Sequence, residues 1–398
     1  MRRLAHITLW LFVFTIPWQN CLPLESVGTV SQAVGVTAFI TTVLWCLSAG
    51  RILRPGRTLW LTAALATCAL LSAGWSPDPA ATLSRVQTIF QLLAMFWLIS
   101  ELVRESAHID SILIAYVAGA TVNAIATFAQ FLSGNANQDL RYTATGFNPN
   151  DGALTLALAI PLAWFLMMQS RPLWLRLSFF AYLVLAPIAI ALSGSRTGAL
   201  ACAAALLFSG FGMRRMRFSR QLMLAGVLGL CVWCAVSIVP ETSWSRILTI
   251  SEQVHSGDLN RRMSVWAAGA KAFLEHPLFG VGEGAYLQVS DKYFGESFVA
   301  HNTFISVLVE LGIVGFLLFA AILLITATSI RNLQNTSRSM WTALAATWLV
   351  GVMAATWETQ KPTWLFIALI AAAARVHQSA PEVALSREPL SPHYELSS

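Results

Sequence analysis

Thr303-Phe-Ile-Ser-Val-Leu-Val-Glu-Leu-Gly-Ile-Val-Gly-Phe-Leu-Leu-Phe-Ala-Ala-Ile-Leu-Leu-Ile-Thr-Ala-Thr328 carries one charged residue, Glu310, in an otherwise apolar or small run. About 20 mostly apolar residues suffice for a helix to cross a bilayer, so this stretch predicts a membrane span. Similar runs recur on both sides of it. Residues 4–22, 27–49, 58–75, 80–100, 109–132, 151–170, 174–193, 197–212, 221–240, 341–357 and 362–375 bring the total to about twelve spans, of which 197–212 and 362–375 are among the shorter. The whole chain agrees: of its 398 residues 56% are hydrophobic and 11% charged, with a mean hydropathy of +0.64. Soluble domains carry roughly 25% charged residues, so an ordinary soluble enzyme and a disordered scaffold are both excluded. The apolar residues form continuous runs rather than alternating with polar ones, which argues against a β-barrel. The expected fold is an all-α polytopic membrane protein. Nine spans fill 1–240, a large outer loop with short helices fills 241–302, three spans fill 303–375, and 376–398 form a polar cytoplasmic tail with three prolines.

Charge sets the expected orientation. With the N-terminus in the cytoplasm, the inner segments hold 16 of the 25 basic residues, from Arg2 and Arg3 through the Arg214–Arg220 cluster to Arg375 and Arg387. That is the positive-inside pattern. The net charge of +6 is therefore a topology signal and gives no reason to expect nucleic acid. The first span begins Met1-Arg2-Arg3 and lacks an Ala-x-Ala cleavage site, so it is expected to be retained. Cys46, Cys68, Cys202 and Cys231 lie within apolar runs. Cys231-Val-Trp-Cys234 has no polar partners nearby, which favours buried thiols over a metal or redox pair.

Most connections are short, and a long one usually carries function. Within the stretch of roughly Glu241–His301, Arg262–Glu275 predicts an amphipathic helix. Met263, Trp266, Ala267, Ala270, Phe273 and Leu274 recur at helical spacing, and His276-Pro277 ends the helix. Gly280-Val-Gly-Glu-Gly284 follows as a flexible turn; its spacing is not that of a dinucleotide fingerprint. Two further outer segments are Ser133–Asp151, rich in Asn, Gly and Thr, and Leu192-Ser-Gly-Ser-Arg-Thr-Gly198.

Arginine near hydrocarbon pairs, snorkels or serves a substrate. Arg85, Arg141, Arg196 and Arg262 all fall at the outer side, and snorkelling remains an alternative, above all for Arg85 and Arg141. Guanidinium forks suit a di-anionic ligand such as a diphosphate, and they stabilise the charge that develops on such a leaving group. His301 sits where the loop re-enters the membrane. It suits either a capping role or that of a general base toward a hydroxyl. Glu310, two and a half turns on, fits a buried structural acid paired with a helix neighbour. There is no Asp-x-Asp pair, P-loop, His-Glu-x-x-His or Gly-x-Ser-x-Gly, so neither a metal nor a cofactor is expected. A donor for such a site would arrive already activated and membrane-borne.

In combination, Arg262-x-x-x-Trp266, Glu275-His-Pro-Leu-Phe-Gly-Val-Gly-Glu-Gly284 and His301-Asn…Glu310-x-Gly-x-x-Gly315 resemble the O-antigen ligase and polymerase superfamily. Gly146-Phe-Asn-Pro-Asn150, Ser193-Gly-Ser-Arg-Thr-Gly198 and Trp75-Ser-Pro-Asp-Pro-Ala80 leading to Arg85 are similar to its motifs as well. The resemblance implies a C-class glycosyltransferase of the bacterial inner membrane, metal-independent and inverting, working on the periplasmic face. Its donor would be an O-antigen on undecaprenyl diphosphate, and its acceptor a sugar hydroxyl of lipid A–core oligosaccharide. His301 matches the histidine that activates the acceptor. Arg196 and Arg262 match the arginines that hold the diphosphate, and Arg85 and Arg141 are assigned to donor binding with them. The short tail and the clean His-Asn…Glu-x-Gly-x-x-Gly segment favour a ligase over a polymerase or a protein oligosaccharyltransferase. From a different class, a lipid or glycan transporter is the rival, although no paired internal halves are visible.

Overall fold

Each of the twelve apolar segments coincides with a helix in the computed structural model, which describes residues 1–24, 28–137, 140–169, 171–211, 218–248 and 261–385. For residues 24, 211, 218–221, 223, 224, 227, 228 and 379–385 only the backbone is described. The first six helices are α1 (Arg2–Thr15), α2 (Val30–Ala49), α3 (Arg57–Leu71), α4 (Pro79–Leu102), α5 (Ser106–Leu132) and α6 (Pro149–Met168). Then come α7 (Leu173–Leu192), α8 (Arg196–Phe211) and α9 (Phe218–Ile238). Among the described residues the long connection contributes three short helices, α10 (Glu241–Leu248), α11 (Arg262–Glu275) and α12 (Tyr286–Phe294). Last come α13 (Thr303–Arg331), α14 (Asn335–Val352) and α15 (Lys361–Leu385). Among the described residues seven helices are long and apolar enough to cross a membrane, the most apolar being α13. A two-residue antiparallel ribbon, Pro23–Leu24 with Gly28–Thr29, is the small β element between α1 and α2.

The helix α6 sits at the centre. Nearly all of its residues are buried, and it packs against α5, α7, α8 and α14. A helix that is apolar all round belongs in such a place. Two buried phenols end on its carbonyls, Tyr116 on Thr155 at 3.3 Å and Tyr182 on Leu156 at 2.7 Å, which satisfies polar groups that water does not reach.

The end of the bundle that carries the long connection is where helices begin on purpose-built caps. Thr29 and Gln32 form a capping box on α2; Asp78 caps α4 ahead of Pro79; Asn148 caps α6 ahead of Pro149; Asn302 caps α13. This is the polar end of the molecule.

One expectation changes here. The last helix does not stop near Arg375 but continues to Leu385, with Pro381 tolerated inside it, so the polar tail predicted from Val376 begins as helix. Residues 386–398, the Arg214–Arg217 part of the basic cluster and His255 lie outside the described residues.

Candidate active site

The candidate base is held by the start of α13. The Asn302 side chain accepts from the backbone N–H groups of Phe304 and Ile305 at 3.0 and 3.1 Å, and its amide donates to the Met353 carbonyl at 3.1 Å. The Thr303 hydroxyl donates to the Ala355 carbonyl at 2.9 Å and accepts from the Trp357 N–H at 2.8 Å. The turn 353–360, between α14 and α15, thus clamps the beginning of α13. On the other side the Trp266 indole donates to the Ala300 carbonyl at 2.8 Å. His301 lies between these two clamps with φ at +48°, in the left-handed region. A non-glycine residue there carries strain on the order of 1–3 kcal/mol, the kind found at functional positions that their surroundings over-determine.

Trp266 belongs to α11, whose bounds match the sequence expectation. The face is another matter. The buried residues are Val265, Ala268, Gly269 and Ala272, small side chains that let α11 close on α12 and α13, while Met263 and Leu274 are exposed. Both stripes have helical spacing; only the packing partners decide which one turns inward. Arg262, the first residue of α11, donates to the Ala354 carbonyl at 3.3 Å, on the same turn that clamps α13. Its neighbour Arg261, at φ +64°, is anchored by a 2.6 Å ion pair with Glu296.

Arg196 starts α8 through a polar turn. The Ser195 hydroxyl accepts from the Gly198 N–H at 3.0 Å and donates to Asn150 Oδ1 at 2.7 Å. Arg141 reaches the same turn, donating to the Ser193 carbonyl at 2.7 Å and to Asn150 Oδ1 at 3.2 Å. Arg141 therefore braces the turn from which Arg196 projects.

His301, Arg262 and Arg196 come together electrostatically. Burial first, and then the Arg262 charge, hold the His301 imidazole below its ordinary value. Burial and then Arg196 pull Arg262 down in the same way, and Arg246 of α10 bears on Arg196. Every charge that acts on these three groups among the described residues is positive. Half-buried like charges repel one another, and a bound anion would relieve that repulsion. Arg246 was not singled out in the sequence; it lies in an eight-residue helix of the long connection, outside every motif quoted above.

Arg85 is placed differently. It donates to the Thr359 hydroxyl at 3.1 Å, at the far end of the 353–360 turn from Arg262, and its charge bears on three buried acids, Glu283, Glu310 and Glu358. Burial, reinforced by Glu310, raises the Glu283 carboxyl well above the usual range. Glu310 was expected to pair with a helix neighbour. Instead its carboxylate accepts two loop N–H groups, Gly284 at 2.9 Å and Tyr286 at 3.1 Å.

The reason is a break in α13. Gly312, with φ +64° and ψ −167°, is not helical, and this opens the bonds from Ile313 to Val309 and from Val314 to Glu310. The segment 277–282 lies in the gap and takes all four groups. Val281 and Gly282 donate to the Val309 and Glu310 carbonyls at 3.1 and 2.9 Å, and Ile313 and Val314 donate to the Pro277 and Leu278 carbonyls at 2.9 and 3.1 Å. Irregular backbone at such a depth needs this full accounting. Trp75 holds the strap from outside, its indole donating to the Gly280 carbonyl at 3.1 Å. The stretch read as a flexible turn is thus a rigid strap, because its N–H groups find partners that local sequence does not reveal. A Cβ on Gly280 would lie 2.4 Å from the Glu310 backbone, and one on Gly312 would lie 2.4 Å from the Leu278 carbonyl oxygen. We expect Gly280→Ala or Gly312→Ala to destabilise the protein by about 1–3 kcal/mol from the left-handed φ alone, before the collision is added. Thermal unfolding in detergent checks this; a variant that melts with the parent would contradict the strap.

A cavity of about 500 Å³ opens beside the strap, lined by Trp75, Pro77, His276, Phe279, Lys292 and Tyr293 among others. It shares no lining residue with Arg196, Arg262 or His301.

Fold and site together define a multi-pass membrane protein with a cationic, histidine-bearing centre at the polar end of its helix bundle. Residues 181–320 match the protein family described as O-Antigen ligase, a stretch that includes Arg196, Arg262 and His301. The chain is 27% identical over 322 residues to an O-antigen ligase of Pseudomonas aeruginosa, covering 79% of this chain and 75% of that protein. Over these stretches the chain is similar to O-antigen ligases, in agreement with the resemblance drawn from its motifs.

Proposed function

We propose that the protein is an O-antigen ligase that transfers a glycan from undecaprenyl diphosphate to a sugar hydroxyl of lipid A–core, completing lipopolysaccharide. The observation that supports this best is the all-positive set of charges around His301, Arg262 and Arg196 among the described residues. In this reading the donor diphosphate is the missing counter-charge. His301, kept neutral by burial and by Arg262, takes the acceptor hydroxyl proton. The acceptor oxygen attacks the anomeric carbon, the bond from that carbon to the phosphate oxygen breaks, and undecaprenyl diphosphate leaves with its electron pair against the guanidiniums. Direct displacement inverts the anomeric centre. Arg196 and Arg262 fill the role that a metal ion has in other glycosyl transfers. Arg141 supports donor binding by fixing the turn that carries Arg196, and Arg85 lies at the edge of the donor site beside Thr359. The arginine distribution supports a bacterial inner-membrane setting with both termini cytoplasmic and the 241–302 loop over a periplasmic site.

Purified protein reconstituted with lipid-linked glycan and lipid A–core tests the proposal. Glycosylated lipid A–core and free undecaprenyl diphosphate are expected. Extension of a second lipid-linked glycan would make it a polymerase, and movement of glycan without bond formation would make it a transporter.

The pH profile adds a second check. A general base works when neutral, that is, above its pKa. Because the His301 pKa is depressed, kcat/KM should be flat through neutrality and fall only below the ordinary imidazole value of 6.5. An acid limb centred above 6.5 would remove His301 as a base in this environment.

A further inference from the structure

Lys361 opens α15 with its ammonium mostly buried, and both of its acceptors are neutral: Oε1 of Gln19 and, at 2.7 Å, Oγ of Ser31. The Ser31 hydroxyl in turn donates to Gln19 at 2.7 Å, so two of the three ammonium N–H groups meet neutral oxygens, and a third is left for a further acceptor. No carboxylate among the described residues bears on it. A charge withdrawn from water without a counter-charge is costly, and inside a membrane protein it marks a ligand more often than a packing choice.

This ammonium closes one end of a trough of about 410 Å³ between α1, α2 and α4. The lining sorts by depth. Gln32 and Gln87 lie near the starts of α2 and α4, the end at which Lys361 sits, and Phe39, Phe90 and Leu98 lie farther along. From Gln87 to Leu98 the helix advances about 16 Å, close to half of a hydrocarbon core roughly 30 Å thick. Val36, Phe39 and Phe90 are exposed on the flank of the bundle, so the trough opens sideways. A cation at one end and an aromatic, apolar channel one leaflet long are the two halves of a lipid, taken in order.

We propose that this trough binds one anionic phospholipid of the surrounding leaflet, its phosphate against the Lys361 ammonium and an acyl chain along Phe39 and Phe90. A net negative headgroup supplies the missing counter-charge, whereas a zwitterionic one brings a cation of its own. The lining of the trough does not include His301, Arg196 or Arg262, and the proposal does not rest on the ligase reading.

Native mass spectrometry of the full chain tests this after equilibration with phosphatidylglycerol or phosphatidylcholine of the same acyl chains. The wild type should retain phosphatidylglycerol over phosphatidylcholine by about tenfold, the ratio that one charge-assisted contact supports. Lys361→Met should retain the two lipids equally. Val36→Trp, on the exposed flank, should fill the channel and lower retention of both; it keeps the test standing should the methionine variant misfold. Equal retention by the wild type, or an unchanged preference in Lys361→Met, overturns the proposal. Displacement of the lipid by millimolar inorganic phosphate would make this a plain anion site, and preferential retention of undecaprenyl phosphate would make it a donor-lipid groove. Either result overturns the assignment to phospholipid.

Discussion

Replacing His301 with alanine is expected to lower glycan transfer by at least about 100-fold, within the range that a positioned general base contributes. The expectation combines chemistry and backbone. The imidazole is half-buried, is held neutral by its surroundings, and projects from a residue at φ +48° fixed on both sides, by Trp266 through Ala300 and by the Asn302 cap. Alanine is itself strained in the left-handed region, so His301→Asn is the control. Asparagine adopts that region readily, keeps hydrogen-bonding atoms and cannot serve as a base near neutrality. It should be as inactive as alanine while melting with the parent. Full activity in a folded His301→Ala protein would end the assignment, and activity retained by asparagine alone would show that the position matters for its backbone and not for proton transfer.

How far such residues can be read from sequence depends on how local their determinants are. The spans are local: a run such as 303–328 announces itself by composition, and the helix bounds of α11 follow from periodicity and from the His276-Pro277 stop. Two things in the same region were not legible. One is the inward face of α11, because Met263 and Leu274 fit a helical stripe as well as Val265 and Ala272 do, and the choice is made by α12 and α13. The other is the strap. Gly280, Gly282 and Gly284 look like punctuation until α13 is seen to break at Gly312 and accept the strap's backbone, across some thirty residues of chain. The acids follow the same logic. Glu310 looked like a helix-pairing group, whereas its partners are the N–H groups of Gly284 and of Tyr286, the first residue of α12, brought to it from another part of the chain. Among the arginines, the motifs set Arg196 and Arg262 ahead of Arg85 and Arg141, but they did not reveal that Arg141 braces the turn before Arg196 or that Arg85 sits among carboxylates, and they passed over Arg246.

Arg196→Ala and Arg262→Ala should each reduce transfer by about 100- to 1,000-fold, the loss typical of removing one preorganised donor to developing negative charge. Lysine should rescue poorly at either position, because it keeps the charge and loses the planar two-pronged contact. Stability should move the other way. In the unliganded protein these guanidiniums repel one another, Arg246 adds to the repulsion, and among the described residues no acid bears on Arg196 or Arg262. Deleting one should therefore leave the thermal midpoint unchanged or raise it, the signature of a group kept for function at the expense of the fold. Any gain in stability for Arg262→Ala is offset slightly, since its 3.3 Å bond to Ala354 goes with it. The double variant should lose little more activity than either single one, as expected of groups that grip one leaving group together. Unfolding tracked beside turnover separates this from a structural role. If both alanine variants melt earlier, and their lost activity matches the lost folded fraction, these arginines hold the bundle together and the anion must be bound elsewhere.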